Sequence, residues 1–125
     1  MNFTTKIRSG FTFFDGGCGT ILQAHGLKPG ELPETWNVIN KDVIVNMHYD
    51  YLMAGANILK TNSFGANSLK FGDEGEMSLK NLVEKAIDNA REAISKAKEA
   101  GNTNEHYVAL DIGPLGKLLK PLGDM

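Results

Sequence analysis

Apolar and polar positions along this chain fall into short runs and helical stripes that predict alternating strands and helices. Residues 1–10 form a lead-in that holds at most a short helix. Phe11, Thr12, Phe13 and Phe14 then make a nearly continuous apolar run, which predicts a first strand buried on both faces. A helix follows over 19–25 and stops at Gly26, and the glycines and prolines of 26–33 predict a loop. Trp36, the only tryptophan, sits among polar residues; it is expected to plug the mouth of a core and hydrogen-bond its indole N–H, rather than meet a ligand. Asn40 or Asp42 caps a second helix reaching about Ala54, with Val43, Ile44, Met47, Tyr51 and Leu52 as its apolar stripe and Gly55 as its stop. Residues 57–61 predict a second strand, 66–71 a short helix and 72–75 a turn. The clearest helix covers 78–100, where Leu79, Leu82, Val83, Ala86, Ile87, Ala90, Ala93, Ile94 and Ala97 share one face and charged residues occupy the other. A third strand is predicted over 106–112 and ends at Gly113-Pro114, followed by a tail containing Lys117, Lys120 and Asp124.

Strands alternating with helical crossovers imply an α/β fold with parallel strands. Three polar clusters then acquire a common place. Asp15-Gly16-Gly17, Thr61-Asn62-Ser63 and Asp111-Ile112-Gly113-Pro114 each follow the C-terminal end of a strand. In a parallel sheet those ends share one face, the face that carries ligand sites in barrels and open α/β sheets.

Composition narrows the function classes. The 125 residues suffice for one ordinary domain, with 42% hydrophobic and 22% charged residues. A net charge of −2 without a basic block argues against nucleic acid. One cysteine forbids an internal disulfide and fits a reducing compartment. No stretch has the length of a signal peptide core or a membrane span, so a cytoplasmic location is expected. His25, His48 and His106 lack the spacing of a metal-ligand pair, and no bound metal is expected.

The chemistry concentrates in Asp15-Gly16-Gly17-Cys18-Gly19-Thr20. A carboxylate followed by bare glycine amides suits a zwitterion, since the carboxylate takes an ammonium and the amides take a carboxylate. A phosphate fits less well, because Asp15 repels it and the third glycine of the dinucleotide fingerprint is missing. A tight strand-to-helix turn without a ligand also fits these residues.

Taken in order, Asp15-Gly16-Gly17-Cys18-Gly19-Thr20, Pro33-Glu34-Thr35-Trp36-Asn37, His48 with Gly55-Ala56-Asn57, Thr61 through Asn67, and Ile112 through Lys117 resemble the start of the homocysteine S-methyltransferase family. The branch most similar in pattern is the homocysteine-binding module of cobalamin-dependent methionine synthases. The resemblance spans nearly the whole chain, 1–125, as one partial domain. It implies the first three βα units of a (β/α)8 TIM barrel. The intact protein is then expected to be a methyltransferase that moves a methyl group to a zinc-activated homocysteine thiolate to make methionine. Folate and cobalamin modules would be its partners. A barrel using S-methylmethionine or betaine, and a non-catalytic half-barrel that binds an amino acid, are the alternatives.

The resemblance also implies roles for individual residues. Asp15 is expected to accept the homocysteine ammonium. The amides of Gly16 and Gly17, with Thr61, are expected to contact its carboxylate, and Asn62 to orient either group. The family's three zinc cysteines belong to later strands. Cys18 is therefore read as a small buried side chain, and 1–125 alone as inactive and without zinc or cobalamin. Lys60 departs from the family pattern of Glu or Gln and either helps bind a carboxylate or points away. An unpaired strand edge predicts self-association.

Overall fold

The computed structural model describes residues 2–123; Met1, Asp124 and Met125 lie outside the described residues. The elements run α1 (Phe3–Arg8), α2 (Gly19–Ala24), a single 3-10 turn (Pro33–Thr35), α3 (Trp36–Ile39), α4 (Lys41–Met53), β1 (Ile58–Lys60), α5 (Leu79–Glu99) and β2 (Tyr107–Ala109). Strands β1 and β2 are parallel, with Ile58 opposite Tyr107 and Lys60 opposite Ala109. Helix α5 forms the crossover between them, as a parallel pair requires. Phe14 bridges Ile58 in parallel on the other side of β1. The mixed α/β fold with parallel strands expected above is therefore present.

Local chemistry sets the longest element. Ser78 caps α5 by accepting the Asn81 N–H at 3.2 Å. Gly101, at φ 94°, takes the left-handed turn that ends the helix. The buried face of α5 is built largely from alanines. Ala90, Ala93 and Ala97 let the helix approach Val45 and Leu52 of α4 and Leu59 of β1 closely, making one core. Lys41 and Glu92 join the same two helices by an ion pair at 2.8 Å. A second core, of Leu22, Leu27, Trp36, Ile44 and Met47, sits under the 16–18 turn.

Several expectations change. The 11–14 run is not a strand buried on both faces. It makes one bridge, at Phe14, and Phe11, Phe13 and Phe14 are 90%, 60% and 57% exposed. Burying consecutive apolar side chains takes neighbours on both faces, and the described residues supply only the β1 flank. Residues 66–71 form successive turns rather than a helix. The Asn67 side chain accepts the Leu69 N–H at 3.0 Å, diverting the backbone from a helical ladder. The third strand is shorter than 106–112 and leaves the ladder after Ala109. On α4 the buried set is Ile44, Val45, Met47, His48 and Leu52, so Val45 and His48 replace Val43 and Tyr51, which are half-buried. Trp36 is buried as expected, but its indole N–H finds no partner among the described residues.

Candidate functional site

The track through Asp15, β1 and β2 delivers three chain segments to one face. The Asp15 N–H donates to the Ile58 carbonyl at 2.9 Å, and the Thr61 N–H to the Ala109 carbonyl at 3.0 Å. Beyond these bonds each segment leaves the sheet. Together with the 32–34 turn they line a cavity of about 460 Å³ that holds Asp15, Gly16, Gly17, Cys18, Thr61 and Asn62. Glu34, Lys60, Ser63, Lys70 and Asp111 line it as well. All five residues singled out from the sequence, Asp15, Gly16, Gly17, Thr61 and Asn62, thus share one cavity.

Asp15 is already engaged. Its Oδ2 accepts the Lys60 backbone N–H at 3.1 Å, and its Oδ1 forms an ion pair with Lys60 Nζ at 3.1 Å. Lys60 Nζ also donates to the Asp15 carbonyl at 3.3 Å. The Asp15 side chain is only 4% exposed, whereas that of Lys60 is 39% exposed. Lys60 therefore does not point away from the site.

The turn after Asp15 is shaped by Tyr51 of α4. The Tyr51 hydroxyl donates to the Gly17 carbonyl, and its ring lies so close that a Cβ on Gly16 would sit 2.9 Å from the hydroxyl oxygen. A side chain at 16 would have to displace the Tyr51 hydroxyl. The N–H groups of Gly16 and Gly17 donate to no other described residue, which leaves them available to an anion.

Thr61 is engaged within the chain. The Asp111 N–H donates to Thr61 Oγ1 at 3.0 Å, and Ser63 Oγ donates to the Asp111 carbonyl at 2.8 Å. With the Ser63 proton thus used, the 2.6 Å contact between the two hydroxyls has Thr61 as donor. Both Thr61 donors, hydroxyl and amide, are committed inside this closed cycle and the ladder. They pin the β1 and β2 exits together.

Asn62 is similarly constrained. Its Nδ2 donates to the Pro33 carbonyl at 2.8 Å and to Asn37 Oδ1 at 3.0 Å. Only Oδ1 remains, touched by Cys18 Sγ at 3.7 Å, so Asn62 is an acceptor towards the cavity. Glu34 was not among the residues singled out for the site. Its Oε1 accepts the Gly65 N–H, while its buried Oε2 has no partner among the described residues. The signal for Glu34 was a carboxylate directly after Pro33, overshadowed by the neighbouring tryptophan.

Cys18 is half-buried rather than the buried side chain expected of it, and its surroundings disfavour the thiolate. Burial, followed by the charges of Asp15, Glu34 and Asp111, pushes its thiol from 9.0 up to about 11. None of the three histidines lines the cavity. Among the described residues no three His, Cys, Asp or Glu side chains converge as metal ligands. The described residues of this cavity do not by themselves make up a zinc site. The arrangement suits recognition of a small zwitterion: free amides and two lysines for an anion, acceptor oxygens for a cation.

The family model described as homocysteine S-methyltransferase matches residues 12–125. Homocysteine S-methyltransferase 1 of Arabidopsis thaliana is 31% identical over 123 residues, covering 88% of this chain and 37% of that protein. Methionine synthase of Mycobacterium tuberculosis is 33% identical over 112 residues, covering 83% of this chain and 9% of that protein. Among solved structures, the metallated form of the homocysteine methyltransferase MmuM from Escherichia coli superimposes with a TM-score of 0.78 at 26% identity. The match covers 90% of this chain and 41% of that one. The chain spans less than half the length of each of these relatives.

Proposed function

The chain belongs to the homocysteine S-methyltransferase family, and on that premise we propose that it builds the amino-acid half of a homocysteine site. In this reading it supplies the first three βα units of an eightfold barrel, in a methyltransferase that makes methionine. The observation that carries the proposal is the cavity itself. Free Gly16 and Gly17 amides stand beside the Asp15–Lys60 pair, and the open Asn62 Oδ1 lines the same 460 Å³ space. A ligand with one carboxylate and one ammonium on the same carbon matches that set.

Gly16 and Gly17 then hold the carboxylate, and Asn62 Oδ1 receives the ammonium. Asp15 reaches the ammonium directly only where Lys60 swings off it; Thr61 acts through Ser63 and Asp111 rather than by contact. The zinc that activates the homocysteine sulfur, and the cobalamin and folate modules of a methionine synthase, belong in this reading to parts of the protein outside residues 1–125. The methionine synthase assignment is favoured by the run Ile112-Gly113-Pro114-Leu115-Gly116-Lys117. Within it, Gly113 is held against Phe64: its N–H donates to the Phe64 carbonyl at 2.9 Å, and a Cβ there would overlap that oxygen. A cytoplasmic setting belongs to the same proposal, since a substrate thiol persists under reducing conditions.

Titration calorimetry with L-homocysteine tests the reading. We expect saturable binding that L-methionine does not fully reproduce, and a loss of roughly 2–5 kcal/mol on Asp15→Ala, the scale for breaking a buried hydrogen-bonded charge pair. Absence of homocysteine binding to the chain, or unchanged binding by the variant, overturns it.

A further inference from the structure

Lys60 is a charged side chain of the cavity wall held against a single residue, Asp15. Its Nζ reaches Asp15 Oδ1 at 3.1 Å and the Asp15 carbonyl at 3.3 Å, while its own backbone N–H meets Asp15 Oδ2 at 3.1 Å. An ammonium has three donors. One is donated to the Asp15 carbonyl and one faces Oδ1 in an ion pair without hydrogen-bond geometry, which leaves the third, on a side chain that is 39% exposed and lines the cavity. The neighbouring Gly16 and Gly17 N–H groups are the other open donors on this wall.

We propose that Lys60 is the carboxylate-reading residue of this site. Its third N–H joins the Gly16 and Gly17 amides on the α-carboxylate of the ligand, and Asp15 serves to hold Lys60 in place. The inference rests on the homocysteine reading above and deepens it. It reverses the sign of the residue that meets the ligand at this corner.

Two physical arguments carry the assignment. The first is charge. An Asp15 carboxylate standing alone beside the glycine amides would repel a ligand carboxylate, and would leave those amides useless for it. Paired with Lys60, the corner is neutral overall and offers a charge-assisted donor, which binds a carboxylate about twice as strongly as a neutral one does. The second is preorganisation. A free lysine loses rotamer entropy when it is immobilised on a ligand. Lys60 has already lost it to Asp15, whose own side chain is only 4% exposed and whose N–H is tied to Ile58. The ammonium of the ligand is then left to the acceptors of the cavity away from Lys60: Asn62 Oδ1, Glu34 and Asp111.

The test separates the two ends of the ligand on the full chain. Calorimetry compares L-homocysteine, mercaptobutyrate (which lacks the amine) and aminopropanethiol (which lacks the carboxylate). Lys60→Gln is expected to weaken the two carboxylates by about tenfold or more, the scale of a hydrogen bond to a charged group. Aminopropanethiol is expected to bind the variant unchanged, and Lys60→Arg to retain most of the carboxylate affinity. A wild-type measurement removes any dependence on the folding of a variant. With labelled lysine, the Lys60 side-chain resonances are expected to shift on adding mercaptobutyrate and to stay put on adding aminopropanethiol. Uniform weakening of all three thiols by Lys60→Gln overturns the inference. So do tighter aminopropanethiol binding by that variant, which would make Lys60 a competitor for Asp15, and homocysteine binding that leaves the Lys60 resonances still. A wild-type chain that binds none of the thiols overturns the homocysteine reading itself, and the inference with it.

Discussion

Cys18 shows how a reactive side chain is silenced by its surroundings. Its thiol, raised from 9.0 to about 11 by burial and three nearby carboxylates, holds roughly 100-fold less thiolate at neutral pH than an unshifted cysteine. Iodoacetamide is therefore expected to alkylate Cys18 in the folded chain far more slowly than in the urea-unfolded chain, and equal rates would contradict the environment described for it. His48 makes the opposite kind of statement about pH. Burial lowers its pKa from 6.5 to about 4, with neither ring nitrogen bonded among the described residues. The unfolded chain takes up this proton first. Stability is thus full above about pH 6.5 and falls as the pH drops towards 4, by on the order of 3 kcal/mol in all. Urea titrations between those limits are expected to show that slope in the wild type and to lose it in His48→Leu. Much of the site was legible residue by residue, because Asp15, Gly16, Gly17, Thr61 and Asn62 follow strand ends, and strand ends in parallel sheets converge. The job of Glu34 was not legible, and that of Lys60 stayed between helping to bind a carboxylate and pointing away. They depend on partners 31 and 45 positions away, which no local pattern encodes.

At the scale of elements, legibility tracks how local the cause is. Helix α5 was readable because its period, its Ser78 cap and its Gly101 stop all lie within its own sequence. The 11–14 run was not, because burial is a property of neighbours. Residues 66–71 were not either, because a single Asn67 side chain outcompetes the helical ladder. The joint between α3, α5 and the exit of β1 is another nonlocal feature, and Asn37 is its centre. Asn37 Nδ2 donates to the carbonyls of Asn62 at 2.8 Å and Leu82 at 3.2 Å, its Oδ1 accepts from Asn62 and its carbonyl accepts from Asn89 at 3.1 Å. Truncation would leave several buried groups unsatisfied, each at about 1–3 kcal/mol. Asn37→Ala is accordingly expected to lower stability by about 3 kcal/mol or more. It is also expected to free the Asn62 amide, so that homocysteine binding weakens beyond what the loss of folded chain explains. A urea midpoint within experimental scatter of the wild type would remove Asn37 from that central role.

At the scale of the whole molecule, the distribution of apolar surface is the feature with consequences. Phe11, Phe13, Phe14, Ile112, Leu118, Leu119 and Leu122 are all more than half exposed, and Phe11 and Phe13 stack only on each other, with ring centroids 6.3 Å apart. Exposed apolar side chains scattered singly carry no meaning, but this many on a small domain, with two of them in contact, are apolar surface available to a partner. The sheet adds to it. Among the described residues β2 is hydrogen-bonded to β1 alone, and the Phe14 bridge is the last contact on the opposite side. Unpaired strand edges invite pairing with another chain. In the eightfold barrel proposed here, both edges and the inward-facing side chains between them would be covered by further strands. The chain as it stands is therefore expected to associate with itself, its apparent mass in sedimentation rising with concentration. Phe11→Ser and Phe13→Ser together are expected to shift the chain towards monomer without lowering its urea midpoint, since neither side chain contributes to a core. A wild-type chain that stays monomeric across the concentrations used for calorimetry would show that these surfaces are not sticky enough to need a partner. Association that survives both substitutions would move the contact to the β2 edge and the 118–122 segment instead.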